Sequence, residues 1–212
     1  MRNFIYVVLG LTVAAAGCSD DDAIDSDEAA RRAYLALDGS IEKSIALGFA
    51  AFNASTGGAN IDPPQVGSGA KAGTLTITGK VDQGSSSNKG MRLDVGMVGY
   101  DDGDVPYNDA NDTVHVVFDT DLDPVNQPSF DLQLKNFPNG TLEGTLNSNA
   151  STLGVYQLSG DLAGTLTLSL TLTGTTMAGA AAGDVVRVPG ATTITGTATN
   201  SDGGVYNINL TL

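Results

Sequence analysis

From residue 75 to the C-terminus, apolar residues recur at every second position. Leu75, Ile77, Gly79 and Val81 alternate with Thr74, Thr76, Thr78 and Lys80, and Met91, Leu93, Val95 and Met97 alternate with Arg92, Asp94, Gly96 and Val98. The same period runs through Val114-Val116-Phe118, Phe130-Leu132-Leu134, Leu142-Gly144-Leu146, Tyr156-Leu158-Gly160-Leu162, Leu166-Leu168-Leu170-Leu172, Ile194-Gly196-Ala198 and Tyr206-Ile208-Leu210-Leu212. Successive side chains of a strand point to opposite faces, so each run is a strand with one dry face and one wet face. Thr, Ser, Asn or Asp stands opposite nearly every apolar face, the pattern of an antiparallel sheet covered on one side only. The connections are too short for the crossovers that parallel strands need. About nine strands are predicted, or about ten with residues 184–188. Gly84-Ser85-Ser86-Ser87-Asn88 joins the first two as a hairpin, and residues 144–148 with 154–158 read as a hairpin matching 196–200 with 204–208.

The segment before the strands has another period. Tyr34, Leu37, Ile41, Ile45, Gly48 and Phe52 follow one another at spacings of three or four, which draws one stripe along a helix over 27–53. Asp25 and Ser26 offer N-caps, and Glu28 stands three residues after Asp25 in a capping-box arrangement. Asp38-Gly39 is a point at which the helix can kink or split, with Ser40 able to cap a second segment. Residues 54–72, with Gly57-Gly58 and Pro63-Pro64, have no period and read as a linker. The expected fold is mainly β: a curved antiparallel meander sheet or barrel of nine to ten strands over 73–212, packed on the one N-terminal helix as one globular unit. A β-sandwich is the alternative, but it offers the helix stripe no obvious docking surface. Gly79, Gly144 and Gly196 fall on the inward face, where a missing side chain lets the sheet bend or the helix approach. Aromatic residues make up only 6% of the chain, so the core is expected to be aliphatic.

At the N-terminus, Arg2 precedes an uncharged apolar run from Phe4 to Ala16, which stops at Cys18-Ser19-Asp20-Asp21-Asp22. The run is shorter than the roughly 20 residues that span a bilayer, and it has the form of a secretory signal. Ala15-Ala16-Gly17-Cys18 resembles the lipobox of bacterial lipoproteins, with Ala15 where Leu is commoner. The resemblance implies that residues 1–17 are a signal peptide, that Cys18 carries the acyl chains, and that 18–26 is an acidic tether. Without it, the same run reads as an ordinary signal peptide with Cys18 an incidental thiol. Cys18 is the single cysteine, so no intramolecular disulfide can form. In Gram-negative lipoproteins, Ser after the lipidated cysteine permits transfer to the outer membrane, and Ser19 implies that location. The membrane, through the anchor, is then the expected partner; a protein or lipid partner is not specified.

The formal net charge is −14, and no basic cluster exceeds Arg31-Arg32, which argues against nucleic acid as a partner. Acidic residues crowd one region. Asp101, Asp102, Asp104, Asp109 and Asp112 lie before a short strand, with Asp119, Asp121 and Asp123 after it. Flexible carboxylates are calcium ligands, so two adjacent loops at one sheet end are a candidate calcium site and the only cofactor site expected. They are not an EF-hand, because Pro124 replaces the required Gly and Phe130 the closing Glu. The simpler reading is solvated turn carboxylates. His115, the only histidine, is expected on the outward side of its strand, and no nucleophile elbow, phosphate loop or His-Glu-x-x-His is present. If the helix does not fill the concavity, Met91, Met97, Leu166, Leu168, Leu170 and Leu172 can line a pocket for an apolar ligand or lipid; otherwise they are core. The function expected is a non-enzymatic binding or structural role in a lipid-anchored envelope protein. A carrier, a calcium-dependent surface or adhesion module and a carboxylate-based hydrolase are the alternatives.

Overall fold

The structure is a computed structural model that describes residues 23–54, 59–147, 154–180 and 184–212. The signal segment, Cys18 and most of the acidic tether lie outside the described residues. Among the described residues one α-helix, α1, spans Asp27–Ala54. Ser26 caps it, its Oγ accepting the Ala29 N–H at 3.2 Å and its carbonyl the Ala30 N–H at 3.0 Å. Glu28 pairs forward with Arg31 at 2.7 Å, so the capping box expected with Asp25 does not form. The helix runs through Asp38-Gly39 unbroken, because Ser40 Oγ donates back to the Leu37 carbonyl and Ser44 Oγ to the Ser40 carbonyl, both at 2.7 Å. Neither hydroxyl is left to cap a second helix.

Among the described residues of α1, only Asp27, Glu28, Gly39, Ala50 and Asn53 are exposed. Tyr34, Leu37, Ile41, Ile45 and Phe49 are buried, each contributing about 1.5–3 kcal/mol relative to exposure. A helix dry around most of its circumference needs cover on most sides. The sheet supplies it.

Twelve strands form that sheet: β1 Gln65–Ser68, β2 Ala72–Val81, β3 Lys89–Asp101, β4 Asp104–Pro106, β5 Thr113–Asp119, β6 Ser129–Lys135, β7 Thr141–Asn147, β8 Tyr156–Gly160, β9 Gly164–Ala178, β10 Val185–Arg187, β11 Thr193–Asn200 and β12 Val205–Thr211. Their pairings, all antiparallel, reduce to a simpler object. β5 and β6 run one after the other along the same edge of β3, and β7 and β8 do the same along β9. From Val116 opposite Gly160 to Lys135 opposite Thr141, these two composite strands hold one register with no slip. They are one long hairpin. Likewise β4 continues β3 beyond a bulge, and β10 precedes β11 along the outer edge of β9. The sheet is therefore a sequential meander of β1, β2, β3–β4, β5–β6, β7–β8, β9, β10–β11 and β12.

The long hairpin is interrupted in the middle. From Asp94–Ser129 to Tyr100–Phe118, β3 advances six residues while its neighbour takes eleven. The surplus leaves the sheet as a loop over 120–128. Its ends still serve the edge of β3: the Pro128 carbonyl accepts Val95 N–H, Thr120 Oγ1 accepts Met97 N–H, and Asp119 Oδ1 accepts Gly99 N–H. On the other side, β9 advances three residues between Leu166–Tyr156 and Ser169–Asn147 while its neighbour takes nine. Residues 144–147 and 154–158 are thus successive parts of one side of the long hairpin, which corrects the expected separate hairpin between them. Their alternation is that of paired strands, but β6 and β5 are the partners. The 196–200 and 204–208 hairpin forms as expected.

The meander curls around α1, which touches β1 and β2 near one end, β10 and β12 near the other, and β3, β4 and β5 between them. Two inward glycines ease the bend. Gly79 has φ +108° and Gly196 φ +147°, and a Cβ at either would meet the neighbouring strand, at Arg92 O or Ser169 O, at 2.1 Å. Among the described residues β1 and β12 do not pair, so the sheet is an open trough rather than a closed barrel, and no second sheet makes a sandwich. The helix ties down both edges: Lys43 Nζ donates to the Ser68 carbonyl of β1 at 2.6 Å, and Asp27 Oδ1 accepts Asn207 N–H of β12 at 2.7 Å. β1 itself lies within the segment expected to be linker. It is a short edge strand whose Val66 is exposed, so no alternation marks it.

One ionic cluster fastens the helix to the late strands. Arg187 of β10 reaches Asp38 through both terminal nitrogens, at 2.9 and 2.7 Å, and Glu42 through Nε at 2.6 Å and its own backbone N–H at 3.0 Å. Tyr34 donates to Asp38 at 3.0 Å. Burial opposes the charge on Arg187, but Asp38 and Glu42 outweigh it and raise its pKa. Removing one partner from a buried pair strands the other charge. Arg187→Met is expected to cost about 3 kcal/mol in urea unfolding, and Asp38→Asn with Glu42→Gln in that background to recover part of the loss.

Candidate functional site

The aspartate-rich segment begins where β3 passes into β4. At this bulge Gly103 takes φ +83° and its N–H donates to Asp101 Oδ1 at 2.7 Å. His115 of β5 faces the same carboxylate, with Nε2 2.9 Å from Asp101 Oδ1, and Lys71 Nζ lies 3.8 Å from Oδ2 and 3.3 Å from the His115 Nε2. The His115 backbone N–H donates to Asp161 at 2.8 Å. Burial works against ionisation of Asp101, but Gly103, His115 and Lys71 more than offset it and hold its pKa below 3.8. Asp102 is a joint between helix and sheet. It accepts from Tyr100 Oη at 2.6 Å, from the Ala70 N–H at 2.8 Å and from Lys43 at 3.3 Å, while Lys43 also lies 4.9 Å above the Tyr100 ring. Burial, and then Asp102, push the Tyr100 hydroxyl pKa well up. A Cβ on Gly39 would lie 2.8 Å from Asp102 Oδ2, so the absent side chain is what lets the helix approach.

Asp112, Asp121 and Asp123 serve turns. Asp112 accepts from Asn108 at 2.8 Å, Asp121 from the Asp123 N–H at 2.8 Å and from Asn126 at 3.2 Å, and Asp123 from the Val125 N–H at 3.1 Å, which caps the 3₁₀ turn Pro124–Asn126. Asp104 and Asp109 are exposed. Among the described residues, no three His, Cys, Asp or Glu side chains are grouped so that they could hold a metal ion. Met91, Met97, Leu166, Leu168, Leu170 and Leu172, the candidate lining of an apolar pocket, are all buried in one core cluster with Tyr34, Leu37, Ile41 and Ile45 of α1.

Open space lies on the outer face instead. The 120–128 loop folds back over β3, with the Gln127 amide seated on Gly96, where a Cβ would meet it at 2.6 Å. Beside this loop is a cleft of about 340 Å³ lined by Gly79, Lys80, Arg92, Asp94, Ser129 and Asp131, with the backbone at Leu93 and Phe130. A second hollow of about 270 Å³ is lined by Asp94, Pro124, Val125, Gln127 and Ser129, so Asp94 and Ser129 are common to both. Arg92 is engaged by Asp82 at 2.6 Å. Asp94 is half-buried, its carboxylate takes no hydrogen bond or ion pair from any described residue, and burial alone raises its pKa.

Alternation puts Asp94 on the wet side of β3, and nothing in the local sequence marks it as special. Its setting depends on surplus residues thirty positions later. His115 was expected on the outward side and is there; the Asp101 and Lys71 beside it come from the bulge and from a turn, which no spacing rule connects. No protein-family model, curated protein or solved structure matches the chain.

Asp101 contributes stability above its unfolded pKa that disappears as pH falls through its lower folded value. Thermal melts from pH 7 to 2 are expected to show a shallower acid loss below about pH 4 in Asp101→Asn than in the wild type.

Proposed function

We propose that this protein is a lipid-anchored lipoprotein of the bacterial cell envelope, with a rigid β domain in a non-enzymatic binding or structural role at the outer membrane. Ala15-Ala16-Gly17-Cys18, after its apolar run, is the observation that carries the reading. Two or three acyl chains on Cys18, each contributing about 0.8 kcal/mol per buried methylene, hold a protein at a bilayer without a spanning segment. Among the described residues no helix is long and apolar enough to cross a membrane.

The start of the globular domain supports the reading. Ile24 is buried, its carbonyl accepts from Asn200 at 2.9 Å, and Ala23 bridges to Ala163. Fully extended, the stretch from Cys18 to Ala23 reaches about 17 Å. A domain anchored at Cys18 is therefore held within a short reach of the lipid, with the end that carries Ala163 and the Asn200 turn nearest to it. The packed interior favours a scaffold with surface recognition over a carrier, since the apolar carrier candidates are occupied by contact with α1.

Expression in a bacterium with labelled palmitate tests the anchor. Wild type is expected to take up label and sediment with membranes, and Cys18→Ser to lose the label and be found with the unprocessed precursor. A Cys18→Ser protein that remains processed and firmly in the membrane fraction would overturn the assignment.

A further inference from the structure

The outer face of the trough is mostly Thr, Ser and Asn, side chains content in water. It also carries the acids Asp119, Asp131 and Glu143, all exposed, whereas Asp94 is half-buried. Its neighbour across β2 is Thr78, yet an acid stands on β3, half-buried beneath the 120–128 loop. Burying an ionised group without a partner is costly, and here no donor offsets the cost. Arg92, two residues away, is turned to Asp82, and the exposed side chain of Lys80 makes no hydrogen bond or ion pair with a described residue. A chain selected only for stability would place a neutral residue at this position. Half-buried acids left uncompensated in clefts are where ligands are expected.

The surroundings narrow the ligand. The net charge of −14 attracts cations and repels anions. A divalent ion needs more oxygens than the cleft groups together, and among the described residues no cluster of three such ligands exists. Phe130 contributes only backbone, its ring being in the core, so the cleft has no aromatic platform for a sugar. A monovalent organic cation fits: one charge for Asp94, with Asp131 on the same floor, and an apolar path beyond it over Pro124 and the exposed Val125.

We propose that the cleft at Asp94 binds a protonated alkylamine, its ammonium at the Asp94 carboxylate and its carbon chain lying along Pro124 and Val125. The site does not depend on the acyl anchor, so failure of either assignment leaves the other standing. Its formation depends on the loop: the surplus residues of the long hairpin build the wall that dries Asp94.

Titration calorimetry of the full chain, purified in detergent at pH 7 and low salt, tests this with pentylamine and, as an uncharged probe of equal length, 1-pentanol. Pentylamine is expected to saturate one site per chain, 1-pentanol to give no isotherm, and Asp94→Asn to weaken pentylamine at least about tenfold, the scale of one charge-assisted contact. Asp109→Asn, an exposed acid elsewhere, is expected to bind as the wild type does. Asp94→Asn also loses an uncompensated charge, so it is expected to melt at or above the wild-type temperature. Unchanged binding in Asp94→Asn, non-saturating uptake that follows total charge, or a lowered melting temperature in that variant would each overturn the proposal.

Discussion

One long helix with a broad buried face dictates this architecture. Tyr34, Leu37, Ile41, Ile45 and Phe49 follow one stripe, and the small buried residues beside it, Ala29, Ala33, Ala36, Ser40 and Ser44, widen the contact well beyond that stripe. A flat sheet can cover one side of such a cylinder. Covering the rest requires a sheet that bends, and the glycines at 79 and 196 stand where side chains would stop the bend. The trough stays open because the helix itself occupies the seam, with Lys43 on the β1 edge and Asp27 on the β12 edge. Those contacts also blunt two edges that would otherwise invite pairing with other chains.

The second organising feature is the uneven length of neighbouring strands. Where β3 takes six residues and its partner eleven, the excess has to leave the plane, yet the register of the long hairpin is kept from end to end. The loop is tolerated because Thr120, Asp119 and Pro128 keep serving the β3 edge as a strand would. Backbone polar groups near the core thus remain paired while side chains of the loop are released to the outer face. That release shapes the two adjoining hollows that share Asp94 and Ser129.

Much of this could be read from the residues alone. The two periods separate helix from strands, and the inward glycines point to curvature. β1 and β4 escaped because each is a short edge or end piece without alternation. Residues 144–158 do not form the hairpin that their alternation suggests, because alternation marks a segment as a strand and is silent on which strand lies beside it. The carboxylates divide in the same way. Their number and Asp-Gly context announced turns, which Asp112, Asp121 and Asp123 now stabilise, whereas the fastening of Asp38 and Glu42 to Arg187 spans about 150 residues and left no local trace.

The helix is also the first of the described elements in chain order, while several of its fastenings come from the last ones. Asp27 waits for Asn207, Ile24 for Asn200, and Asp38 for Arg187. A polypeptide emerging from its N-terminus cannot finish this structure early, since contacts so distant in sequence carry a large loop-closure cost until the final strands arrive. Maturation is thereby deferred to the end of synthesis, and until then the helix has only part of its wrapping.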